Sequence, residues 1–169
     1  KSNFSGNPSA HVHSFSIVQI SIWRSSNTYI ASCNYSRRYF KCENLQKIGA
    51  FKARGAVNAA LSLTEEQRKF GIATHSSGNH AQALAYAASI LGIKAYIVMP
   101  ENAPPIKIKA VKGYGAEIIF CRPSLESRES ELKKVVKETS AHLIHPYNNY
   151  SVIAGQGTAA YEIYQEIPD

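Results

Sequence analysis

The chain has 169 residues, 44% apolar and 18% charged, enough length and apolar content for a domain with its own core. No apolar run is long enough to cross a bilayer, so no membrane partner is expected. The formal net charge is +7, but residues 1–60 hold eight Lys/Arg against one acid (Glu43), whereas residues 61–169 hold eleven of each. The later part is therefore neutral, without a phosphate-tracking stripe, which argues against nucleic acid.

Residues 1–38 contain ten serines, no acid and no sustained periodicity. That composition fits an organelle transit peptide, or a translated non-coding stretch ahead of a real domain, and no structure is expected there. The first residue is lysine, so the chain is expected to be a fragment or a processed product. From Tyr39 the pattern changes. "YFKCEN" (39–44) reads as a short strand, and "AFKARGAVNAALSL" (50–63) as an Ala/Leu-rich helix. "TEEQ" from Thr64 is a capping-box pattern for a short helical turn. "GIATH" (71–75) is an apolar strand, followed by a helix over 79–91 stopped by Gly92. "KAYIVMP" (94–100) is a strand ended by proline. Then come a helix over about 105–113, the strand "AEIIFC" (116–121), a charged helix over 126–140 and the strand "HLIH" (142–145). A last helix is expected over 155–167.

Short apolar strands alternating with helices predict βαβ units, hence an α/β fold with a parallel, doubly wound sheet. The strands at 71–75, 94–99, 116–121 and 142–145 make one compact unit. The cysteines Cys33, Cys42 and Cys121 are odd in number, wide in spacing and lack C-x-x-C. Neither a disulfide framework nor a zinc site is signalled, and a reducing, cytoplasmic setting is the default. His11/His13 and His142/His145 have spacings a metal could use, but neither pair has an obvious third ligand, and no metal is assigned.

Ligands of parallel sheets bind at the carboxyl ends of the strands. There the first strand of the unit runs into Thr74, His75, Ser76, Ser77, Gly78, Asn79 and His80. Its backbone N–H groups, hydroxyls and helix dipole would suit a carboxylate or phosphate. Simple capping by Ser76 or Ser77 is the plainer alternative for either serine alone. "AGQGT" (154–158) reads as a second glycine-containing helix start. G-x-G-x-x-G after the first strand, the P-loop pattern and G-x-S-x-G are all missing. Ser76 and His80 have no acid placed to orient them, which disfavours a hydrolase. Lys52 is unusual in lying among small and apolar neighbours, although a lysine stem can snorkel along such a surface with its amine in water.

"FKCENLQKIGAFKARGA" (40–56) followed by "THSSGNHAQALAYAA" (74–88) resembles the fold-type II, tryptophan synthase β-like pyridoxal-phosphate enzymes. The resemblance is to the serine racemase and serine/threonine dehydratase group. It continues through residues 95–120, "HP" (145–146) and "VIAGQGT" (152–158), and leaves residues 1–38 outside. It implies that Lys52 is the Schiff-base lysine and that Asn79 hydrogen-bonds the cofactor's 3-oxygen. It also implies that Ser76, Ser77, Gly78, Asn79 and His80 receive the substrate, with Ser77 as a second acid/base opposite Lys52. The implied activity is β-elimination or racemisation of serine- or threonine-type amino acids. The family also implies pyridoxal 5'-phosphate as cofactor, a homodimer at full length, and magnesium and ATP as effectors. Lys47, Gln82, Lys107 and Tyr114 lie in segments that would supply such an effector site.

By the same resemblance, residues 39–70 form part of a large domain and 71–148 a complete small domain, with 149–169 starting the return into the large one. The family's phosphate loop, pyridine-nitrogen partner and metal ligands have no counterpart here, so the chain alone is expected to be inactive. The competing expectations are a non-catalytic truncated paralogue that binds a full-length homologue, or a misassembled translation without function.

Overall fold

The computed structural model describes residues 22–25 and 38–167, residues 22–25 and Arg38 by their backbone alone. The expectations for residues 1–21 and 26–37, with His11, His13 and Cys33, lie outside the described residues. β1 (Ile22–Ser25) pairs antiparallel with β2 (Arg38–Lys41), Ile22 opposite Lys41. A described strand thus lies inside the serine-rich stretch, where no structure was expected. A four-residue strand flanked by serines is too short to carry a periodic signal, and its pairing partner is what defines it. The strand expected over 39–44 ends at Lys41. Two 3₁₀ turns, Glu43–Leu45 and Lys47–Gly49, lead from it to α1 (Lys52–Leu61).

The expected alternation then follows: α2 (Glu65–Arg68), β3 (Ile72–His75), α3 (Asn79–Leu91), β4 (Ala95–Pro100), α4 (Pro105–Gly113), β5 (Glu117–Cys121), α5 (Leu125–Thr139), β6 (His142–Leu143) and α6 (Tyr150–Glu166). The four strands form one parallel sheet in the order β5-β4-β3-β6. Thr64 and Gln67 complete the capping box of α2, each side chain bonding the other's backbone N–H. Gly92 ends α3 with φ +65, the left-handed conformation that glycine adopts without steric cost.

Strand alternation builds two cores. Ile72, Ile97 and Met99 face α3, α4 and α1, whereas Ala73 and Val98 face Leu132 and Val135 of α5. The fully buried Leu84, Ile97 and Met99 contribute about 1.5–3 kcal/mol each by leaving water. Burial on both faces explains why these strands read as apolar runs rather than alternating ones.

Two boundaries differ from expectation. β6 is two residues long, with one further ladder bond from the Ile144 N–H to the Ala73 carbonyl at 2.9 Å. Beyond it Pro146 has no N–H to donate. α6 starts at Tyr150, where the Asn149 side chain caps it by accepting from the Val152 N–H. Gly155 and Gly157 therefore lie inside the helix rather than at its start. Gly155 is there because α6 crosses α1 at backbone contact: a Cβ on it would meet the Arg54 carbonyl oxygen at 2.6 Å and the Gly55 Cα at 2.7 Å.

Candidate functional site

Lys52 opens α1, half-buried, and its Nζ donates to the Pro146 carbonyl at 3.0 Å. The Phe51 ring lies 5.4 Å from the same nitrogen. Burial lowers the Lys52 pKa, the direction an amine needs in order to react as a nucleophile. Beyond the snorkelling alternative, the amine of this lysine is also bonded to the main chain 94 residues away.

The loop after β3 arrives at the same place. His80, 3% exposed, turns its Nε2 toward the Ile144 carbonyl at 3.4 Å, two residues before the carbonyl that holds Lys52. Its Nδ1 is buried without a hydrogen-bond partner. Ser76 Oγ accepts from the Gly78 N–H at 3.2 Å, a local turn, and no side chain caps the start of α3. The plain capping role considered for Ser76 and Ser77 is thus not used, and the first N–H groups of α3 stay open to an acceptor. Ser77 and Gly78 are half-buried beside them, and Asn79 is exposed.

Asn79 has a neighbour that sequence reasoning placed elsewhere. Lys107 Nζ donates to Asn79 Oδ1 at 2.6 Å and to Gln82 Oε1 at 2.8 Å. With Oδ1 taken by a cation, the amide flip is settled and Nδ2 is the group left to donate. Lys107 therefore orients Asn79. Tyr114 packs edge-on against Tyr86, centroids 5.5 Å apart, and Lys47 lies in the second 3₁₀ turn. Among the described residues no group of three or more His, Cys, Asp or Glu side chains could hold a metal ion, and no helix is long and apolar enough to cross a membrane.

The family model described as "Pyridoxal-phosphate dependent enzyme" matches residues 25–169. The chain belongs to this family. The match begins at residue 25, the last residue of β1, and so takes in part of the segment read from the sequence as unrelated. The serine racemase of Dictyostelium discoideum is 54% identical over 129 residues, 76% of this chain and 40% of that protein. The beta-hydroxyaspartate dehydratase of Paracoccus denitrificans is 47% identical over 142 residues, 84% of this chain and 45% of that protein. The solved structure of maize serine racemase superposes with a TM-score of 0.84 at 47% identity, covering 89% of this chain and 45% of its own. The chain thus spans less than half the length of these relatives.

The residues present fit the family's cofactor. A half-buried, less basic amine suits an aldehyde, and an orphaned imidazole nitrogen beside an uncapped helix start suits a polar ligand. The same burial has a cost that pH exposes. The His80 pKa is pushed down to about 4 from 6.5, chiefly by burial, with the nearby Lys52 charge adding to it. The unfolded chain therefore takes up the proton first as pH falls. Stability is complete above pH 6.5, drains away between there and about 4, and levels off below. The expected loss is about 3 kcal/mol between pH 7 and pH 4. Urea unfolding of wild type and His80→Gln across that range checks it: the variant should lose most of this slope, and an equal slope in both would disprove the assignment.

Proposed function

We propose that this chain carries the lysine-bearing half of an enzyme that eliminates the β-hydroxyl from, or racemises, serine- or threonine-type amino acids with pyridoxal 5'-phosphate. The observation that carries the reading is the convergence of the Lys52 amine and the Ser76–His80 loop on the Ile144–Pro146 segment at the carboxyl ends of the strands. The printed activities of its relatives, serine racemase and beta-hydroxyaspartate dehydratase, supply the substrate class.

In this reading Lys52 and Asn79 hold the cofactor, Lys52 through its amine and Asn79 through the Nδ2 that Lys107 leaves free. The bound cofactor would supply an electron sink for the pair left at the substrate Cα. The chain's own residues do the rest. The open N–H groups of α3, with Ser76 and Ser77, bind the substrate carboxylate, helped by the positive end of the helix. Lys52 takes the Cα proton as a base. The Ser77 hydroxyl serves as the second proton carrier on the opposite side, and return of a proton there gives the other enantiomer. Departure of a β-hydroxyl instead leads to a keto acid and ammonia. The effector reading joins Gln82 and Lys107, which already bond each other, to a nucleotide, with magnesium as its counter-ion. A cytoplasmic setting and a homodimer of the full-length protein belong to the same proposal.

The test is cofactor trapping. Incubation with pyridoxal phosphate, borohydride reduction and peptide mapping should place one saturable adduct on Lys52, absent from Lys52→Ala. In the full-length protein, turnover of serine or threonine should fall by about 10³-fold when this lysine is replaced by alanine. Weak adducts spread over many lysines would refute the reading.

A further inference from the structure

The segment that joins β6 to α6 is short and heavily bonded. Ile144 is tied to β3 through its N–H, and its carbonyl faces His80. Asn149 caps α6. Between them His145 Nδ1 accepts two backbone N–H groups, from Tyr147 at 3.3 Å and from Asn148 at 2.9 Å. This is the bonding of an Asx turn, made by an imidazole in place of an amide or carboxylate oxygen. A ring nitrogen that accepts two donors carries no proton, so the ring hydrogen sits on Nε2. The ring is packed edge-on against Tyr147, with centroids 4.4 Å apart, and against His75 at 5.8 Å. Pro146, whose carbonyl holds the Lys52 amine, lies within this turn.

We propose that His145 is a positioning residue: its Nδ1 fixes the turn that presents the Pro146 carbonyl as the resting dock of the free Lys52 amine. The use of the dock rests on Lys52 being the cofactor-bonding lysine, whereas its geometry does not. A lysine amine hangs on four rotatable carbons and gives up side-chain entropy when held. Whenever the amine is free it swings into water and gains a proton, unless an acceptor detains it. A carboxylate would detain it and hold the proton on. A backbone carbonyl is neutral, so it directs the amine while favouring the charged form far less than a carboxylate would, and burial still lowers the pKa. Its value depends on staying in place, and Pro146 contributes no N–H to anchor itself. The two bonds to His145 supply the anchor.

The experiment needs no cofactor. The pH dependence of Lys52 acetylation by trace acetic anhydride is mapped by mass spectrometry in wild type, His145→Phe, His145→Ala and His145→Asn. Phenylalanine keeps the ring contacts but has no acceptor, alanine removes both, and asparagine restores an acceptor through its Oδ1. In the Phe and Ala variants the half-labelling pH of Lys52 should rise toward that of a solvated lysine, and labelling at pH 8 should fall by about threefold or more. In His145→Asn both should return to the wild-type values. Lys41, buried in ion pairs, reports on the fold and should label slowly throughout.

An unchanged Lys52 profile in a folded Phe or Ala variant overturns the proposal, as does an Asn variant that behaves like the Phe variant. If neither Phe nor Ala folds, the Asn variant decides alone: a wild-type profile supports the dock and a solvated-lysine profile overturns it. Borohydride trapping on the same samples separates the two ideas. A dock that behaves as expected without selective Lys52 trapping leaves the positioning role standing and sinks the cofactor reading.

Discussion

Replacing Arg54 with methionine is expected to destabilise the chain by about 3–4 kcal/mol, the largest effect of any single charged residue described. Arg54 is 3% exposed, in the middle of the α1–α6 crossing. Its guanidinium is bidentate to Glu43, through Nε at 3.0 Å and Nη2 at 2.8 Å, and bidentate to Glu162, through Nη1 at 2.6 Å and Nη2 at 2.8 Å. Thr158 Oγ1 takes a further bond at 3.1 Å. Glu162 also meets Lys41 at 2.9 Å, and Lys41 meets Glu166 at 2.8 Å. The network joins β2, a 3₁₀ turn, α1 and α6. Methionine keeps the bulk but leaves Glu43 without its cation and Glu162 with Lys41 alone. Their partial exposure keeps the cost below that of a fully buried break. Arg54→Lys should recover only part of it, because an ammonium cannot make two forked pairs at once.

Acid provides a second check on the network. The Arg54 hydrogen bonds hold the Glu162 carboxyl below its usual range, against the opposing effect of burial and with help from Lys41. A depressed carboxyl contributes stability that is present above the unfolded pKa and lost as pH falls through the folded one. This loss lies at more acidic pH than most of the His80 window. Urea midpoints at pH 7 and pH 3 for wild type and Arg54→Met should converge as pH falls. Parallel curves would show that Arg54 acts through packing alone.

The second large effect comes from a glycine pair with opposite outcomes. Alanine is favoured over glycine in a helix interior by about 1 kcal/mol. At Gly157 a Cβ meets nothing within 4 Å, so Gly157→Ala should stabilise by about that amount. At Gly155 the same Cβ would lie 2.6 Å from the Arg54 carbonyl oxygen and 2.7 Å from the Gly55 Cα, both backbone atoms that cannot rotate away. The helices must separate, at about 3 kcal/mol, and Gly155→Ala should be destabilised by about 2 kcal/mol net. Separation also pulls on Arg54 and Lys52, which share α1. Thermal unfolding of the two variants side by side checks this, and the same sign at both positions would show that the crossing is looser than its geometry indicates.

The inner strands β3 and β4 were legible because both their faces are buried, giving apolar runs punctuated by Gly92 and Pro100, and the edge strands β5 and β6, more exposed, by their place in the alternation. Lys52 and the Ser76–His80 loop were legible because a lysine among alanines and a run of polar residues after a buried strand are locally odd. Arg54 carries the same oddity two residues later, in "KARGA", and went unread. Its partners Glu43 and Glu162 are 11 and 108 residues away, and nothing local to either marks the pairing. Lys107 was read toward a nucleotide, and only its distance to Asn79 reveals that it orients the amide. Gly155 was read as a helix start because glycine is ambiguous on its own: a boundary and a close crossing ask for the same missing Cβ.

Local chemistry in the sequence therefore determined the order and type of the elements from β2 onward, the two-sided burial of the inner strands and the singling out of Lys52 and the Ser76–His80 loop. These depend on periodicity and residue type within a few positions. The tertiary structure alone decided what each of those residues faces. It set the Pro146 carbonyl under the Lys52 amine and the His145 ring under the turn that holds it. It stranded an imidazole nitrogen on His80, and it closed the Arg54 network across the α1–α6 crossing. Each of these contacts joins segments that are distant in the chain, and no local pattern specifies which of many polar groups a buried donor will meet.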